Sequence, residues 1–589
     1  MKHAPFLFAV LVILTLAAIR PYPMTAEDSV PTVQRSDFLS IERERLEAYL
    51  VNCDPRYSEE YDMLGLTFSS PGYHTNVPNG EWVHPTRQTL DYATALLERN
   101  EEGDAERSGR IISAVLKLQE TREGHSYRGV WPWLMEESVD EMSPPDRNWS
   151  DFCGARLAQM LIDYPELIPT SLQAEVKDAL RLAADQIRTR NVGPGYTNIA
   201  IMGGGVAVAC GELLDDPTLV VYGRERLEKV VDYFEENGGF SEYNSPTYTR
   251  VALEEADRAL YLVRDEASRD AAQRVRRFAW EAVAESFHPA TRQWAGPHAR
   301  AYGDLLDAAT LRQLSEATGL DLSVSYALKA EAEKSELSMS LTPHLACPDD
   351  LVERFRSLPS EEPYEIRRTF QANEDPEKAV HGTTWMSEDA CFGTVNRSEF
   401  WTQRRPIIAY WAMPNAAPAV FRVRFLHDGE DFASMGVRCL QNGSTVYGSC
   451  EPLRNKGSWH LSLDRPEDGV FVASDFRLRF ELTADGAEVD RVKVHSQSDS
   501  FHYRMLAGDY FILISAMNLQ FDEEKVQVEM GVGESGKAYV DFVCHTGEAQ
   551  DFDFHDPPRI FIHFSLGLIS VDEIDNFGGD FLPEDEASE

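Results

Sequence analysis

The spacing of apolar residues changes once along the chain, and the change divides it into two halves. From about Asp37 to Ala332, apolar residues recur every three or four positions, as they do on the buried face of a helix. About ten such segments follow one another, separated by short stretches of Gly, Pro and Asn. Three of these apolar faces comprise Ile111, Ala114, Val115 and Leu118, then Leu227, Val230, Val231 and Phe234, then Ala256, Ala259, Leu260 and Val263.

Helices joined by such short connections are expected to pack as antiparallel hairpins. The segment from Ile199 to Cys210 is apolar on almost every side and contains three consecutive glycines, Gly203, Gly204 and Gly205. A helix of this kind is usually buried all round. The pattern therefore predicts hairpins arranged in an inner and an outer layer, which is an (α/α) toroid, complete or open.

Beyond about residue 361 the period becomes two, which is typical of strands with one buried face in antiparallel sheets. Asp-Gly and Asn-Gly pairs that favour hairpin turns separate these runs. We therefore predict a multidomain α+β protein, with the toroid at 27–335, a linker at 336–361 and an antiparallel β-sandwich at 362–575. The alternating runs include Phe421, Val423 and Phe425, then Trp459, Leu461 and Leu463, then Phe476, Leu478, Phe480 and Leu482.

The two ends of the chain have compositions of their own. Residues 1–26 have a positively charged start and an apolar run, as in a secretory signal peptide. No later segment approaches the roughly 18 to 20 apolar residues of a membrane helix. We therefore expect a secreted or periplasmic protein with no membrane association after signal cleavage. Residues 576–589 read as an acidic tail.

The charge balance limits the class of partner. With 56 basic and 98 acidic residues the formal net charge is -42, which argues against nucleic acid. A polyanion would also be repelled at long range, so it would need a locally basic cleft or salty surroundings. We expect Arg250, Arg300, Arg404 and Arg405 to supply such a basic patch.

The eight cysteines do not form a C-x-x-C metal pair, and no metal site is predicted. Cys439 and Cys450 are candidates for a disulfide between neighbouring strands, whereas Cys210 reads as a core residue.

Four polar and aromatic clusters interrupt the helical half at loops or helix ends, where functional residues concentrate. In one of them His298, Arg300 and Tyr302 alternate, so they would point the same way in an extended segment. Asn198 is suited either to cap a helix or to bind a ligand. The clusters are 196–200, 239–250, 293–303 and 127–133.

The residue types in these clusters are those that β-elimination at a uronic acid requires. The substrate carboxylate must be neutralised so that the C5 proton becomes acidic, which an amide, an imidazole or an arginine can do. A base must then take that proton and an acid must protonate the departing O4, and Tyr or His can serve. The reaction requires no cofactor, although a structural divalent ion in the sandwich remains an open possibility.

At these residues the chain resembles the heparinase II/III-like and alginate-lyase superfamily of polysaccharide lyases, which combine a toroid with a β-sandwich and cleave between them. The turn from Gly239 to Tyr248 is similar to the one that delivers the family's catalytic tyrosine, and Asn198 to the asparagine that neutralises the substrate carboxylate. In many relatives a histidine follows that asparagine, whereas Ile199 follows here, so His298 is the candidate histidine. The early sandwich strands, with His381 to Trp385, Asn396-Arg397 and Gln403-Arg404-Arg405, resemble those that close the cleft.

The resemblance implies an exported lyase that acts on an anionic, uronic-acid-containing polysaccharide or oligosaccharide and leaves a 4,5-unsaturated uronate end. The assignment of acid and base stays open. The expected catalytic residues are Tyr248, His298, Asn198 and Arg300. The expected substrate-binding residues are Glu242, Tyr243, Asn244, Arg250, Trp294, Tyr302, Trp131, Trp133, His381, Arg404 and Arg405.

Two alternatives remain. One is a glycoside hydrolase on a similar toroid, with Glu242 and either Asp151 or Asp304 as a carboxylate pair about 5 to 9.5 Å apart. The other is a non-catalytic carbohydrate-binding surface protein that has kept the scaffold.

Overall fold

The computed structural model describes residues 33–327, 341–414, 416–453, 469–493, 501–522, 524–573 and 582–583. The predicted signal peptide lies outside these residues, as does the predicted acidic tail apart from Leu582 and Pro583. Within the described part of the chain, no helix is long and apolar enough to cross a membrane.

The first half is helical, as the sequence predicts. From residue 33 to Thr318 the described chain forms ten α-helices. They are α1 (Arg43–Cys53), α2 (Thr86–Arg99), α3 (Asp104–Leu116), α4 (Asn148–Asp163), α5 (Thr170–Arg190), α6 (Thr197–Leu213), α7 (Pro217–Asn237), α8 (Tyr248–Leu262), α9 (Glu266–Ser286) and α10 (Ala308–Thr318). Short two-stranded pairs join some of them, built from β1 (Phe38–Leu39), β2 (Tyr57–Ser58), β3 (Met63–Leu64), β4 (Leu66–Thr67), β5 (Trp82–Val83), β6 (Phe287–His288), β7 (Gln293–Trp294) and β8 (His344–Leu345).

Helices α2 to α9 form four consecutive hairpins, and α2, α4, α6 and α8 contact one another in series as the inner layer. Every residue of α6 from Thr197 to Gly211 is buried, so the predicted inner helix is confirmed. Its glycines allow close approach: a Cβ on Gly204 would lie 2.9 Å from Leu227 on α7, and one on Gly223 would lie 2.5 Å from the Gly204 carbonyl. The helical half is therefore an open (α/α) toroid.

The second half consists of antiparallel strands. They are β9 (Tyr364–Gln371), β10 (Val380–Met386), β11 (Ala390–Val395), β12 (Arg397–Glu399), β13 (Ile407–Trp411), β14 (Ala419–His427), β15 (Glu430–Asp431), β16 (Met435–Asn442), β17 (Thr445–Pro452), β18 (Val470–Thr483), β19 (Glu488–Lys493), β20 (Phe501–Ala507), β21 (Tyr510–Phe521), β22 (Glu524–Lys525), β23 (Gln527–Val532), β24 (Ala538–Asp553), β25 (Ile560–Ser570) and β26 (Leu582–Pro583).

These strands form two nine-stranded sheets that face each other. The first has the order β23-β24-β18-β14-β13-β11-β10-β9 and the second β12-β16-β17-β25-β21-β20-β19-β26, with β15 and β22 as side pairs. Phe421 and Phe480 of the first sheet share one core with Ile512 and Phe564 of the second. The period of two thus reflects one face buried between the sheets, and the predicted β-sandwich is confirmed.

The described part of the stretch predicted as a linker packs on the helical half. Leu345 pairs with Phe38, and Phe355 is buried against Trp280 and Phe287. The first sandwich strand begins at Tyr364.

All eight cysteines are free. On β16 and β17, Cys439 lies opposite Gly448, whereas Cys450 lies opposite Val437. The disulfide considered between Cys439 and Cys450 is therefore absent, because the strand register offsets the two residues. Cys210 is a buried core residue, as predicted.

Candidate active site

An extended segment from Trp294 to Asp304 lies between the two halves and organises the candidate site. On one side it bonds to the sandwich, where His298 and Arg405 exchange backbone hydrogen bonds and the Ala301 N–H donates to the Gln403 carbonyl. On the other side the Ala299 N–H donates to the Tyr243 carbonyl. Side chains of this segment are thus held at the junction of toroid and sandwich.

Two phenols meet at this junction. The hydroxyl oxygens of Tyr248 and Tyr302 are 2.8 Å apart, and the Arg300 guanidinium carbon lies 4.3 Å from the centre of the Tyr248 ring. Tyr302 is 64% exposed, so the pair opens to solvent. Burial raises the pKa of Tyr248 above its ordinary value, and Arg300 opposes that shift. Tyr248 is therefore a protonated phenol near neutral pH.

The turn before α8 places Tyr248 accurately. The Tyr248 N–H donates to the Ser245 hydroxyl at 2.9 Å, and Ser245 donates to the Arg300 carbonyl at 2.6 Å. Asn244 has a left-handed backbone with φ of 42°, which Asn adopts more readily than most residues.

The side-chain amide of Asn244 is fully engaged in hydrogen bonds within the protein. Its amide nitrogen donates to the carbonyls of Ala295 and Pro297, and its oxygen accepts from the Trp294 indole at 2.6 Å. Asn244 and Trp294 were predicted to bind substrate, and the structure contradicts this. Trp294 is only 1% exposed, so no sugar ring can reach its face, and the Asn244 amide has no free donor.

Glu242 is a buried carboxylate, and one of its two oxygens has no hydrogen-bond partner among the described residues. Its Oε1 accepts from Arg300 at 2.8 Å, whereas its buried Oε2 has no hydrogen-bond partner among the described residues. Burial raises the pKa of Glu242, and the charges of Arg300 and Arg404 oppose that effect. A buried acceptor without a partner is costly, which suggests that a ligand supplies a donor here.

Asn198 does not cap its helix. It is the second residue of α6, the cap position belongs to Tyr196, and no side-chain cap hydrogen bond is present. The Asn198 Oδ1 is buried without a partner among the described residues. Of the two roles considered for Asn198 from sequence, these contacts favour ligand binding.

His298 is neutral and buried. Its Nδ1 lies 2.8 Å from the Asn244 carbonyl oxygen, which can only accept, so Nδ1 carries the proton in the neutral ring. Burial lowers the pKa of His298 to about 4, against the Asn244 carbonyl, which favours the charged form. With 3% of its surface exposed, His298 holds the turn before Tyr248 and also lines a cavity of about 160 Å³ with Tyr302, Arg250 and Asp304.

The structure adds residues that sequence reasoning did not select. Tyr73 lies within electrostatic range of Tyr302, whose charge adds to the effect of burial in raising the pKa of Tyr73. Tyr196 is half-buried and accepts a hydrogen bond from Asn148 at 3.1 Å. Burial raises the pKa of Tyr196 to about 12, and the charge of Glu242 adds to this. The proximity of Tyr196 to Asn198 was the one available signal, whereas Tyr73 comes from a loop that carries no motif.

The aromatic prediction is only partly compatible with the structure. Trp131 is fully buried, and its indole donates to the Val115 carbonyl at 3.0 Å, so it cannot bind substrate. Trp133 is half-buried and continues a row of rings from Tyr73 through His74. It remains a candidate plane for a sugar.

Two further substrate-binding predictions fail on geometry. Tyr243 is buried and stacked on Phe370, with ring centres 4.3 Å apart. On β10, a Cβ on Gly382 would touch Phe370, so alternation turns His381 to the opposite face, away from the toroid. Tyr243 therefore belongs to the packing of the two halves, whereas His381 lies on the face of the sheet that is turned away from the toroid and bonds to Thr369.

The predicted basic patch is neutralised by carboxylates. Arg300 pairs with Glu242 at 2.8 Å, Arg404 with Glu399 at 2.9 Å, Arg405 with Asp304 at 2.5 Å and Arg250 with Glu254 at 2.6 Å. Arg405 is also buried. These arginines join the halves or brace α8, and the expectation of a net positive patch is wrong because each brings its own counter-charge.

The hydrolase alternative requires a second carboxylate to act with Glu242, and both candidates are engaged elsewhere in the structure. Asp304 is clamped by Arg405 and Arg422; burial alone would raise its pKa, but the two arginines outweigh burial and lower it. Asp151 lies inside the toroid, where a Cβ on Gly203 would be 2.4 Å from its Oδ1.

Among the described residues, one group of side chains has the spacing of a metal site, formed by Glu120, His125 and Asp140. Arg122 already pairs with both Glu120 and Asp140. Its guanidinium occupies the position where a cation would be attracted.

A family model described as a domain of unknown function (DUF8769) matches residues 61–315, within the helical half. No curated protein matches the sequence.

Several solved structures match over most of their length at about one identical residue in ten. A heparinase III has 10% identity and a TM-score of 0.42, covering 92% of this chain and 87% of that chain. A heparan sulfate lyase mutant from Pedobacter heparinus has 11% identity and a TM-score of 0.37, covering 92% and 85%. A chondroitin AC lyase from Streptomyces coelicolor, in complex with chondroitin sulphate, has 10% identity and a TM-score of 0.34, covering 90% and 97%.

Proposed function

We propose that the protein is an exported polysaccharide lyase that cleaves a uronic-acid-containing polysaccharide by β-elimination and leaves a 4,5-unsaturated uronate at the new end. The observation that carries this proposal is the pair of phenols, Tyr248 and Tyr302, 2.8 Å apart above the Arg300 guanidinium. β-Elimination needs one proton acceptor and one proton donor on neighbouring substrate atoms, and two phenols in contact can provide both.

In this reaction the base removes the C5 proton, the electrons form the C4=C5 double bond, and the C4–O4 bond breaks as O4 gains a proton. Tyr302 is assigned as the base in its ionised form, because the Tyr248 hydroxyl and the Arg300 Nη2, 3.5 Å away, stabilise its phenolate. Tyr248, whose pKa burial raises, donates to O4. The proton taken by Tyr302 then returns to Tyr248 along their hydrogen bond.

Asn198 and His298 have separate roles in this proposal. The Asn198 amide, which has no partner among the described residues, donates to the uronate carboxylate and stabilises the charge that develops as C5 loses its proton. His298 is a positioning residue, since its contact with the Asn244 carbonyl fixes the turn that presents Tyr248.

The proposal is tested by incubating the protein with alginate, glycosaminoglycans, glucuronan, ulvan and rhamnose-glucuronate polymers and following ultraviolet absorbance. A lyase product absorbs because its new double bond is conjugated with the carboxylate. The same panel is assayed for new reducing ends, which both lyases and hydrolases generate.

The glycoside hydrolase is a second candidate, favoured by one observation. Glu242 is buried, its pKa is raised by burial, and its Oε2 is unpartnered among the described residues, which are properties of a general acid. New reducing ends without ultraviolet absorbance would support this candidate and contradict the lyase. Neither signal, together with measurable polymer binding, would support a carbohydrate-binding protein.

A further inference from the structure

We infer that the polymer accepted by this site is unsulfated around the cleaved linkage, a uronate with hydroxyl-bearing neighbours rather than a densely sulfated chain. This inference rests on the proposed function and names the substrate class for the same site. It comes from the charges and the unpartnered polar atoms around Tyr248.

The first argument is electrostatic. Arg250, Arg300, Arg404 and Arg405 each pair with a carboxylate at 2.5 to 2.9 Å. A sulfate is usually held by arginine or lysine side chains with charge to spare. The charges of these four guanidiniums are already balanced by Glu254, Glu242, Glu399 and Asp304. A sulfate would therefore meet as much negative as positive charge.

A fifth arginine near the site differs from these four. Arg190 stands behind Tyr196, with its guanidinium carbon 5.9 Å from the ring centre, and donates to Asn148 at 2.6 Å. Within the part of the chain that the structure describes, no carboxylate lies within ion-pair distance of Arg190. An arginine without a counter-charge can attract the single carboxylate of a uronate.

The second argument concerns hydrogen-bond type. Glu242 Oε2 and Asn198 Oδ1 are buried acceptors with no partner among the described residues. Sugar hydroxyls can donate to both, whereas a sulfate ester offers only acceptors. A sulfate beside Glu242 would therefore leave the carboxylate oxygen unpaired and add like-charge repulsion.

The third argument comes from the nearby rings. Tyr73, His74 and Trp133 form a row with neighbouring centres 5.3 to 5.4 Å apart, and Tyr73 lies within electrostatic range of Tyr302 and Arg300. The apolar faces of sugar rings pack on such surfaces. Contacts of this kind bind neutral parts of a polymer and do not depend on its charge.

The test compares polymers that share a backbone and differ in sulfation: chondroitin with chondroitin sulfate, and heparosan with heparan sulfate. Initial rates of ultraviolet absorbance are measured at low salt and at high salt, where long-range repulsion is screened. We expect at least one unsulfated polymer to be cleaved at least tenfold faster than its sulfated partner under both conditions. Equal or faster cleavage of the sulfated partner overturns the inference while leaving the lyase proposal intact.

If no uronate polymer yields an unsaturated product, the proposed function fails, and the inference fails with it. The two failures can be told apart. If only the inference fails, the sulfated polymer gives an unsaturated product at least as fast as its unsulfated partner. If the proposed function fails, no polymer gives this product.

A pair of variants locates the cause. Glu242→Gln removes the negative charge and leaves Arg300 without its counter-charge, so the ratio of unsulfated to sulfated binding should fall at least fivefold. Binding is measured by competition, so loss of turnover does not hide the effect. The matched control is Glu451→Gln, which removes an equal charge from an exposed pair with Arg438 on the sandwich and should leave the ratio unchanged. Equal ratios in both variants and the parent would overturn the assignment to Glu242.

Discussion

Tyr248 and Tyr302 share a hydrogen bond but differ in surroundings. Tyr248 lies half-buried at the start of α8 with Arg300 against its ring, whereas Tyr302 is largely exposed. Two chemically identical groups are thereby made unequal, as acid-base pairs in enzymes often are. This inequality is the physical basis for assigning Tyr248 as the acid.

Tyr248→Phe removes the acid and keeps the ring that Arg300 covers. We expect the variant to fold and bind polymer but to lose about 10²- to 10⁴-fold in kcat, the usual contribution of general acid-base catalysis. Initial rates and thermal unfolding measure the two effects, and Tyr61→Phe, at an exposed tyrosine, is the control. Near-normal turnover in Tyr248→Phe, combined with inactive Glu242→Gln, would replace the elimination by the hydrolase mechanism.

Asn198→Ala separates a ligand-binding amide from a structural one. Because the side chain makes no cap hydrogen bond, the melting temperature should hardly change. Turnover should fall, since removal of a comparable oxyanion donor costs about 3 to 4 kcal/mol of transition-state stabilisation. The opposite pattern, a loss of about 1 kcal/mol of stability with unchanged kcat, would indicate a helix cap.

At the scale of elements, the packing of α6 against α4 buries a carboxyl group. Asp151 on α4 lies 4.0 Å from Arg226 of α7, and a Cβ on Gly203 of α6 would collide with both. Burial raises the pKa of Asp151 to about 7, against the effect of Arg226. The helix contact therefore favours the protonated acid.

This contact makes stability depend on pH. The folded state holds the Asp151 proton up to about pH 7, whereas the unfolded chain releases it near its ordinary value of 3.8. Its stabilising contribution is therefore complete below about pH 4 and is lost as pH rises through about 7. His298 works the other way, since its pKa lowered to about 4 costs stability at low pH that is regained as pH rises.

Asp151→Asn isolates the first effect. We expect the variant to match the parent in stability near pH 4 and to exceed it near pH 8, by an amount on the order of a few kcal/mol. Thermal unfolding across this range checks it, with Asp178→Asn, at an exposed position on α5, as the control. A stability difference that does not vary with pH would contradict the linkage to Asp151.

At the scale of the whole molecule, the negative charge is not offset at the junction of the halves. The net charge of -42 surrounds a site where Arg300, Arg404 and Arg405 are already paired with carboxylates. An anionic polymer should therefore approach against repulsion at low ionic strength and more freely when the charges are screened.

Salt should accordingly lower KM. Between about 0.01 M and 0.15 M ionic strength the Debye length falls from roughly 30 Å to 8 Å, and we expect KM to fall several-fold with little change in kcat. Steady-state kinetics on one polymer across a salt series measure this. A KM that rises with salt would mean that local attraction outweighs the net charge.

Much of the architecture could be predicted because it depends on local periodicity. The three- and four-residue spacing around Leu227 and Ala256 places one helix face in a core, and the alternation around Phe421 does the same for a strand. Both signals come from residues close together in the chain. The inner position of α6 could also be predicted from the sequence, since a helix that is apolar on all sides has to be buried on all sides.

Part of the site could be predicted from the sequence for a similar reason. Tyr248, Asn198, Arg300 and Glu242 were selected because they stand in polar clusters between apolar segments. Their residue types indicated acid-base and carboxylate chemistry. The clusters could not show which side chains have structural roles only. Asn244 is saturated by three hydrogen bonds, and Trp131 and Trp294 are buried.

The sequence by itself determined the helical and β halves, their order and the chemical repertoire at their boundary, because periodicity and residue type are local properties. Only the tertiary structure decided the rest. It placed Tyr302 in contact with Tyr248 across 54 residues of chain and brought Tyr73 within electrostatic range of Tyr302. It also paired Glu242 with Arg300 and Asp304 with Arg405. A basic residue read from sequence carries a full charge, but the field at a site depends on the counter-charges that folding places within a few ångströms.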